Sequence, residues 1–501
     1  MELINNLGLG FTTVLTFQNL VYSFFGVLLG TLIGVLPGLG PLVAIAVLLP
    51  FTFVLDPVSS MIMLAGIFYG AQYGGSTTAI LINLPGEASS IVTTLDGHEM
   101  AKQGNAGKAL ATAAIASFFA GCVATVIIGV FAPPLAKLAF QFGPAEYFSL
   151  MVCGLIVSVV LASGSLIKAL GMMVLGLLLG IIGTDGQTGI QRFTFGVPEL
   201  ADGLNVAAIA MGLFGLGEII RNLEGPTGGA MQVSKVTSLM PTRADLKAIF
   251  APMVRGTFLG SLLGVLPGGG ALLASFSAYA LEKKISPTPE KFGKGAIQGV
   301  AAPEAANNAG AQTSFIPMLT LGIPSNPVMA LMISALVIQG IEPGPAVITQ
   351  HPELFWGVIA SMWVGNLMLL VLNLPLVGLW VKLVSIPYKY LFPTVIVFAC
   401  IGVYSISNSA IAVVTMAGFG MFGYVLRKLE CEAAPMILGF ILGPMMEGHM
   451  QRALLIGRGD PTVFLREPIS AGLLILAATA LALVLLPSFR RTRKLALVDD
   501  D

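Results

Sequence analysis

Residues 26–40, GVLLGTLIGVLPGLG, return as residues 256–270, GTFLGSLLGVLPGGG, with ten of fifteen positions identical and every glycine of the pattern G-x-x-x-G-x-x-x-G-V-L-P-G-x-G kept. Glycines at i, i+4 and i+8 reduce one face of a helix to bare backbone, so that a second helix or a ligand can come close. The Pro-Gly that follows ends such a helix, because proline has no N–H to donate and glycine tolerates positive φ. Residues 37–40 and 267–270 are therefore expected to be non-helical backbone inside apolar runs. In a bilayer, irregular backbone persists only where protein buries it or where it lines a wet cavity. Two breaks at matching places in two halves point to a transporter's substrate site.

That the surroundings are a bilayer follows from composition. Of 501 residues, 56% are hydrophobic and 10% charged, and the mean hydropathy is +0.90. These values define an all-α integral membrane protein with several spans. Sixty glycines and thirty prolines suit close-packed, frequently broken helices. The formal net charge is zero, which leaves no basic footprint for nucleic acid. Cys122, Cys153, Cys400 and Cys431 lack C-x-x-C spacing and read as small packing residues. The first ten residues, MELINNLGLG, carry neither Lys nor Arg, and no removable signal peptide is expected.

Apolar segments follow one another along the chain, at about residues 20–36, 42–55, 58–82, 109–131, 147–162, 166–182 and 206–220. A polar stretch separates these from a second series that begins at residue 249. The expected organisation is a first membrane repeat over 1–220, a cytoplasmic linker over 221–248, a second repeat over 249–430, and C-terminal membrane segments with a cytoplasmic tail over 431–501. About 10–12 membrane segments are expected, several of them re-entrant or discontinuous because they fall short of the ~20 residues a full span needs.

Charge orients the halves. No Lys or Arg precedes Lys102, whereas the second Pro-Gly unit is flanked by Arg243, Lys247 and Arg255 on one side and Lys283, Lys284, Lys291 and Lys294 on the other. By the positive-inside rule the first hairpin enters from outside and the second from the cytoplasm. The segments starting at Val58, Ala109, Tyr147, Leu166 and Val206 lie between them; their odd number requires two inverted-topology repeats. Arg490, Arg491, Arg493 and Lys494 place the C-terminus in the cytoplasm. Arg452, Arg458 and Arg466 fit that scheme only if segment 433–446 is re-entrant or a span is miscounted.

A second echo follows each Pro-Gly unit. Gly70-Ala71-Gln72 leads to Asn83-Leu84-Pro85-Gly86, and Gly310-Ala311-Gln312 leads to Gly322-Ile323-Pro324-Ser325-Asn326-Pro327. Around these breaks gather hydroxyls and amides, which donate to carboxylates and, with freed carbonyl groups, accept Na⁺; helix N-termini past each break add positive dipole ends. The expected substrate and ion site comprises Pro37, Gly38, Gly40, Gln72, Ser76, Thr77, Asn83, Pro85 and Gly86 in the first half. In the second it comprises Pro267, Gly268, Gly270, Asn307, Asn308, Gln312, Thr313, Ser314, Pro324, Ser325 and Asn326. Packing alone accounts for any one of these residues, as glycines seat helices and hydroxyls satisfy backbone groups freed by proline. It does not account for the same constellation occurring twice.

The segments GVLPGLGP, YGAQYGGSTTAILINLPGE, GVLPGGGA and NNAGAQTSFIPMLTLGIPSNPVMA together resemble the large membrane subunit of the tripartite tricarboxylate transporters, the TctA family, and the resemblance extends across essentially the whole chain. It implies a bacterial inner-membrane permease that works with a small integral membrane subunit and an extracytoplasmic solute-binding protein. The implied activity is import of citrate-like tricarboxylates or related carboxylates, driven by an ion gradient. No cofactor is expected beyond a coupling ion, for which sodium is weighed ahead of a proton with no ligands assigned. A homodimer is left open.

Charged residues in an apolar chain are functional candidates by default, at a cost of ~2.5 kcal/mol or more each on insertion scales. Glu87 follows the first proline break and Glu304 precedes the second Gly-Ala-Gln, so both border the site; a solvated loop carboxylate is the plainer reading of each. Lys168 reads as a snorkelling residue, Glu218 and Arg221 as an interfacial pair, and His98 as a surface residue in the polar loop TLDGHEMAKQG. Other function classes fit less well. The chain has no H-E-x-x-H, no G-x-S-x-G and no G-x-x-x-x-G-K-[ST], which disfavours an intramembrane enzyme and an ATP-driven pump. A passive channel and a stand-alone carboxylate symporter remain the alternatives to the permease.

Overall fold

The computed structural model describes residues 2–36, 40–52, 54–162, 165–185, 188–224, 239–268, 270–384 and 388–485. Helix dominates, and the strands among the described residues are a two-residue antiparallel pair, Gly183–Thr184 with Gln191–Arg192. Among the described residues six helices are long and apolar enough to cross a membrane, and five shorter apolar helices accompany them. The chain is a multi-pass, all-α integral membrane protein; of its shorter helices, Gly40–Leu49 and Pro327–Ile338 follow proline-centred breaks, whereas Leu166–Gly180, expected as a full span, is short as well.

In the first half, α1 (Glu2–Val14) leads into α2 (Phe17–Gly34), which begins where the Thr16 hydroxyl accepts from the Asn19 N–H. After the Pro-Gly break come α3 (Gly40–Thr52) and α4 (Pro57–Ile82). Asp56 caps α4 by accepting from Val58 and Ser59 N–H, and Pro57 occupies the first turn, where its missing N–H costs nothing. Every residue from Ser59 to Leu81 is buried, so α4 is a central helix. The glycine stripe explains how it can be one. Side chains at Gly26, Gly30 and Gly34 would run into the backbone of Met63, Ile67 and Ala71, so glycine alone permits α2 to lie this close to α4.

The second half rebuilds this arrangement. A Thr242–Asp245 capping box starts α8 (Arg243–Val265). Then follow α9 (Gly270–Ile285), α10 (Gln298–Thr313), α11 (Phe315–Leu321) and α12 (Pro327–Ile338). Gly256, Gly260 and Gly264 meet the backbone of Ala302, Ala306 and Gly310, and α10 is buried from Gly299 to Thr313. The two Gly-Ala-Gln helices, α4 and α10, are thus the buried centres of their halves.

The halves interlock. Between them in sequence run α5 (Ala106–Ala139), α6 (Pro144–Leu161) and α7 (Leu166–Gly180), and after them α13 (Pro352–Asn373), α14 (Ala410–Lys428), α15 (Ala434–Ile456) and α16 (Pro468–Leu485). Helix α5 of the first half packs on α8 and α10 of the second, while α13 of the second packs on α2 and α4 of the first. Likewise α3 reaches α12, and α9 reaches residues 88–90. The boundary near residue 220 therefore separates the halves in sequence but not in space, and α8 begins at Arg243 rather than 249.

Three expectations are corrected. The stretch 94–104, read as a polar loop, is helical with wide turns, and Asp96 within it is wholly buried. Its Oδ1 accepts from the N–H groups of Gly293 (2.9 Å), Gly295 (2.8 Å) and Ala296 (2.7 Å), and its Oδ2 accepts from Tyr279 Oη at 2.9 Å. Pattern alone does not disclose such a pairing across two hundred residues, which fastens the first half to the second. His98 is only partly exposed, its Nδ1 3.0 Å from the Ile80 carbonyl. Lys168 does not simply snorkel: its Nζ donates to the Leu429 carbonyl at 2.7 Å, capping the end of α14. The Glu218 side chain and the basic C-terminal cluster lie outside the described residues.

Candidate functional site

Both central helices end alike. Helix α4 stops at Asn83 with φ 57°, and α11, which continues α10, stops at Gly322 with φ 69°. Left-handed backbone turns the chain, and the proline two residues later keeps it from re-entering a helix. The next helical turns then open on extended N-cap residues, Glu87 (φ −145°, ψ 166°) and Asn326 (φ −155°, ψ 169°). A side chain at Gly40 would meet Glu87 Cβ at 3.9 Å, and one at Gly270 would meet Asn326 Cβ at 3.8 Å. Gly40 and Gly270, which open the helices after the Pro-Gly stretches, thus each lie against the second break of their own half.

Around the first pair of breaks the polar residues form one network. Ser89 Oγ is shared among Gln72 Oε1 (3.1 Å), Asn307 Oδ1 (2.8 Å) and the Glu87 carboxylate, and Asn307 Nδ2 donates to Glu87 Oε1 at 3.3 Å. Gly86 tucks against Gly34 and Gly75 so tightly that no side chain fits there. One turn along α10, Glu304 is completely buried and accepts from Ser76 Oγ at 2.7 Å, from Thr93 Oγ1, and from Ser117 Oγ at 3.4 Å. It is no solvated loop carboxylate. Asn308 Nδ2 donates to Ser117 Oγ at 2.6 Å, and Thr125 Oγ1 donates to Gln312 Oε1 at 3.0 Å. Glu304, Asn308 and Gln312 form one face of α10 at helical spacing, opposite Ser117, Gly121 and Thr125 of α5.

The second pair of breaks is sparer. The Gly268 N–H, at φ 77°, donates to the Ser325 carbonyl at 2.8 Å, and Asn326 Oδ1 accepts from Met329 N–H at 3.0 Å, capping α12. Helix α6 closes over it: a side chain at Gly268 would run into Ser158, and Pro267 stands 3.4 Å from where a Gly154 Cβ would be.

The sequence-derived residues therefore divide. Gln72, Ser76, Asn307, Asn308 and Gln312 come together in the polar network, with Pro85 and Gly86 shaping its edge; Thr77 donates to the Tyr73 carbonyl of its own helix. Gly40, Pro267, Gly268, Gly270, Pro324, Ser325 and Asn326 build the breaks themselves. Thr313 and Ser314 donate to carbonyls of their own helix, Ala309 and Ala311. Asn83 is exposed and serves the helix end rather than the network. Pro37 and Gly38 lie outside the described residues. Sequence reasoning passed over Thr93, at the edge of the polar stretch after the first break, and Ser117, Thr125, Tyr73, Asn366 and Asn373, polar residues within apolar segments, whose signal was the cost of burying each one.

A duplicated, interlocked set of broken membrane helices around a buried polar seam defines the class: a membrane transport protein. The chain belongs to the tripartite tricarboxylate transporter TctA family, whose model matches residues 20–438. It is 58% identical, over the full length of both chains, to a 52.8 kDa protein of the TAR-I ttuC′ 3′ region of Agrobacterium vitis. A second relative, from the TAR-II ttuC′ 3′ region of the same organism, is 59% identical over 242 residues, which is 48% of this chain and all of the relative. No solved structure matches.

Proposed function

We propose that this chain is the large permease subunit of a binding-protein-dependent secondary transporter importing tricarboxylates or related carboxylates into a bacterial cell across the inner membrane. A solute-binding protein delivers the substrate, a small membrane subunit completes the complex, and an ion gradient drives uptake. The observation that carries the reading is the repeated break: in each half a central buried helix ends on left-handed backbone, passes a proline, and presents an extended cap to the glycine that opens the paired helix. Broken helices of this kind offer N–H groups and dipole ends to an anion without placing a cation in the bilayer.

In this reading the halves are inverted, and alternating access moves one set of breaks against the other. Hydroxyls, amides and backbone N–H groups hold the carboxylates of the substrate. The test is uptake of a labelled tricarboxylate by proteoliposomes holding the chain and its small subunit, with the binding protein outside. Accumulation above the external concentration, abolished by dissipating the ion gradient, is the expected result. Equilibration without accumulation would identify a channel instead.

A further inference from the structure

Glu304 is a buried carboxylate with no basic partner among the described residues. Its hydrogen bonds come from the hydroxyls of Ser76, Thr93 and Ser117, supplied by α4, by the turn after the first break, and by α5. Hydroxyls stabilise a carboxylate without cancelling its charge, and an uncompensated charge at zero exposure is costly. The other acid nearby, Glu87, is itself engaged by Ser89 and Asn307 and adds repulsion rather than relief.

Beside Glu304 lies a cavity of about 10 Å³, bounded on its polar side by Tyr73, Ser76, Thr77, Ser117 and Asn373. That is room for about one water-sized particle. Two groups on its wall have no protein partner: the Tyr73 hydroxyl, 4% exposed, and Asn373 Oδ1, in a residue 7% exposed. The Asn373 amide nitrogen is already committed to the Leu369 carbonyl at 2.9 Å, which leaves the oxygen turned elsewhere. The polar wall therefore presents a carboxylate, a carbonyl-type oxygen and hydroxyls, with no nitrogen or sulfur ligand. Oxygen-only sites select hard cations.

We propose that this cavity is a binding site for one dehydrated sodium ion, held by Glu304, Asn373 and the hydroxyls of Tyr73 and Ser76. A single carboxylate balances a single positive charge, whereas a divalent ion would leave excess charge in a low-dielectric interior. A proton on Glu304 would neutralise the acid yet leave Asn373 Oδ1 without a donor; a cation satisfies both. The site joins elements of both halves, α4 and α5 with α10 and α13, so the ion holds the halves in one arrangement. Helix α10 also carries Asn307 into the network at the first break, which links occupancy of the cavity to the substrate loops. Coupling to uptake rests on the transport reading; sodium binding itself does not.

The test uses the purified full chain in lipid nanodiscs, without substrate or partner subunits, and measures ²²Na⁺ binding against choline at constant ionic strength. One saturable site per chain is expected, with affinity lowered about 100-fold by Glu304→Gln and about 10-fold by Asn373→Ala. Sodium should raise the thermal midpoint of the parent protein and not that of Glu304→Gln. Tyr73→Phe, which keeps the packing, guards against a folding artefact and should weaken binding several-fold. Absence of saturable sodium binding, potassium binding in its place, or binding unchanged in all three variants overturns the proposal. Gradient-driven uptake without sodium binding would overturn this site while leaving the transport function standing.

Discussion

The two halves share a frame and differ in what lines it. Gly26, Gly30 and Gly34 bring α2 onto α4 just as Gly256, Gly260 and Gly264 bring α8 onto α10. Relative to the shared Gly-Ala-Gln, however, Glu304, Asn307 and Asn308 of α10 correspond to Leu64, Ile67 and Phe68 of α4. Those three are buried in the hydrophobic core, Phe68 against Phe315 at 6.3 Å between ring centroids. At the second breaks, Glu87 stands where the other half has Asn326. Duplication preserved the close helix contacts and the break geometry, while the buried carboxylate and its amides sit on one copy alone. Backbone geometry is what both halves need; a charge deep in the membrane is costly enough that one suffices.

The sharpest way to break the shared frame is to fill the stripe. Gly30→Leu and Gly260→Leu should each abolish folded protein in the membrane, read by size-exclusion of detergent extracts, because the clash is with backbone. Gly171→Ala, on an exposed helix face with open space around it, should leave the yield unchanged. If both stripe variants fold normally, the close contact is not what builds the halves.

Next in size, Glu87→Gln and Asn326→Ala probe the difference between the breaks. Glu87 is tied to Ser89 and Asn307, so its neutralisation should slow uptake about tenfold or more. Asn326→Ala removes a helix cap and should cost about 1 kcal/mol of stability in a melting experiment. Equal effects of the two on uptake would remove the functional asymmetry. On stability the latch between halves counts for more than that cap: Asp96→Asn gives up charge on an acceptor of three backbone N–H groups and should lower stability by about 1.5–3 kcal/mol in denaturant titration. The left-handed end of α4 is of similar size to the cap: Asn83→Val should cost about 1–2 kcal/mol. An Asn83→Val variant as stable as its parent would mean that the turn is not needed.

How much of this was legible beforehand varies with the kind of interaction. The breaks were readable because proline and glycine act locally, and the repeat made them stand out from ordinary packing glycines. The glycine stripe announced a close helix contact, though not that its partner was the Gly-Ala-Gln helix. What stayed hidden was long-range. Nothing near Asp96 in the sequence signals the N–H groups of Gly293, Gly295 and Ala296 that hold it. Glu304 was visible as a costly residue, yet the hydroxyls that hold it come from residues 76, 93 and 117, on separate elements. The interlocking of α5 and α13 across the halves likewise depends on tertiary packing that hydropathy does not encode.

The central claim is that the two Pro-Gly breaks face opposite sides of the membrane and together enclose the transported anion. Leu36 and Leu266 stand at equivalent places just before them, the first buried and the second 38% exposed. Cysteines placed singly at these two positions, in a chain whose own four cysteines have been replaced, can be labelled in sealed vesicles of known orientation with a membrane-impermeant maleimide. The account predicts labelling of Leu36→Cys from the outside and of Leu266→Cys from the cytoplasm, with both rates altered by substrate. Labelling of both from one and the same face, whether or not substrate is present, would contradict it.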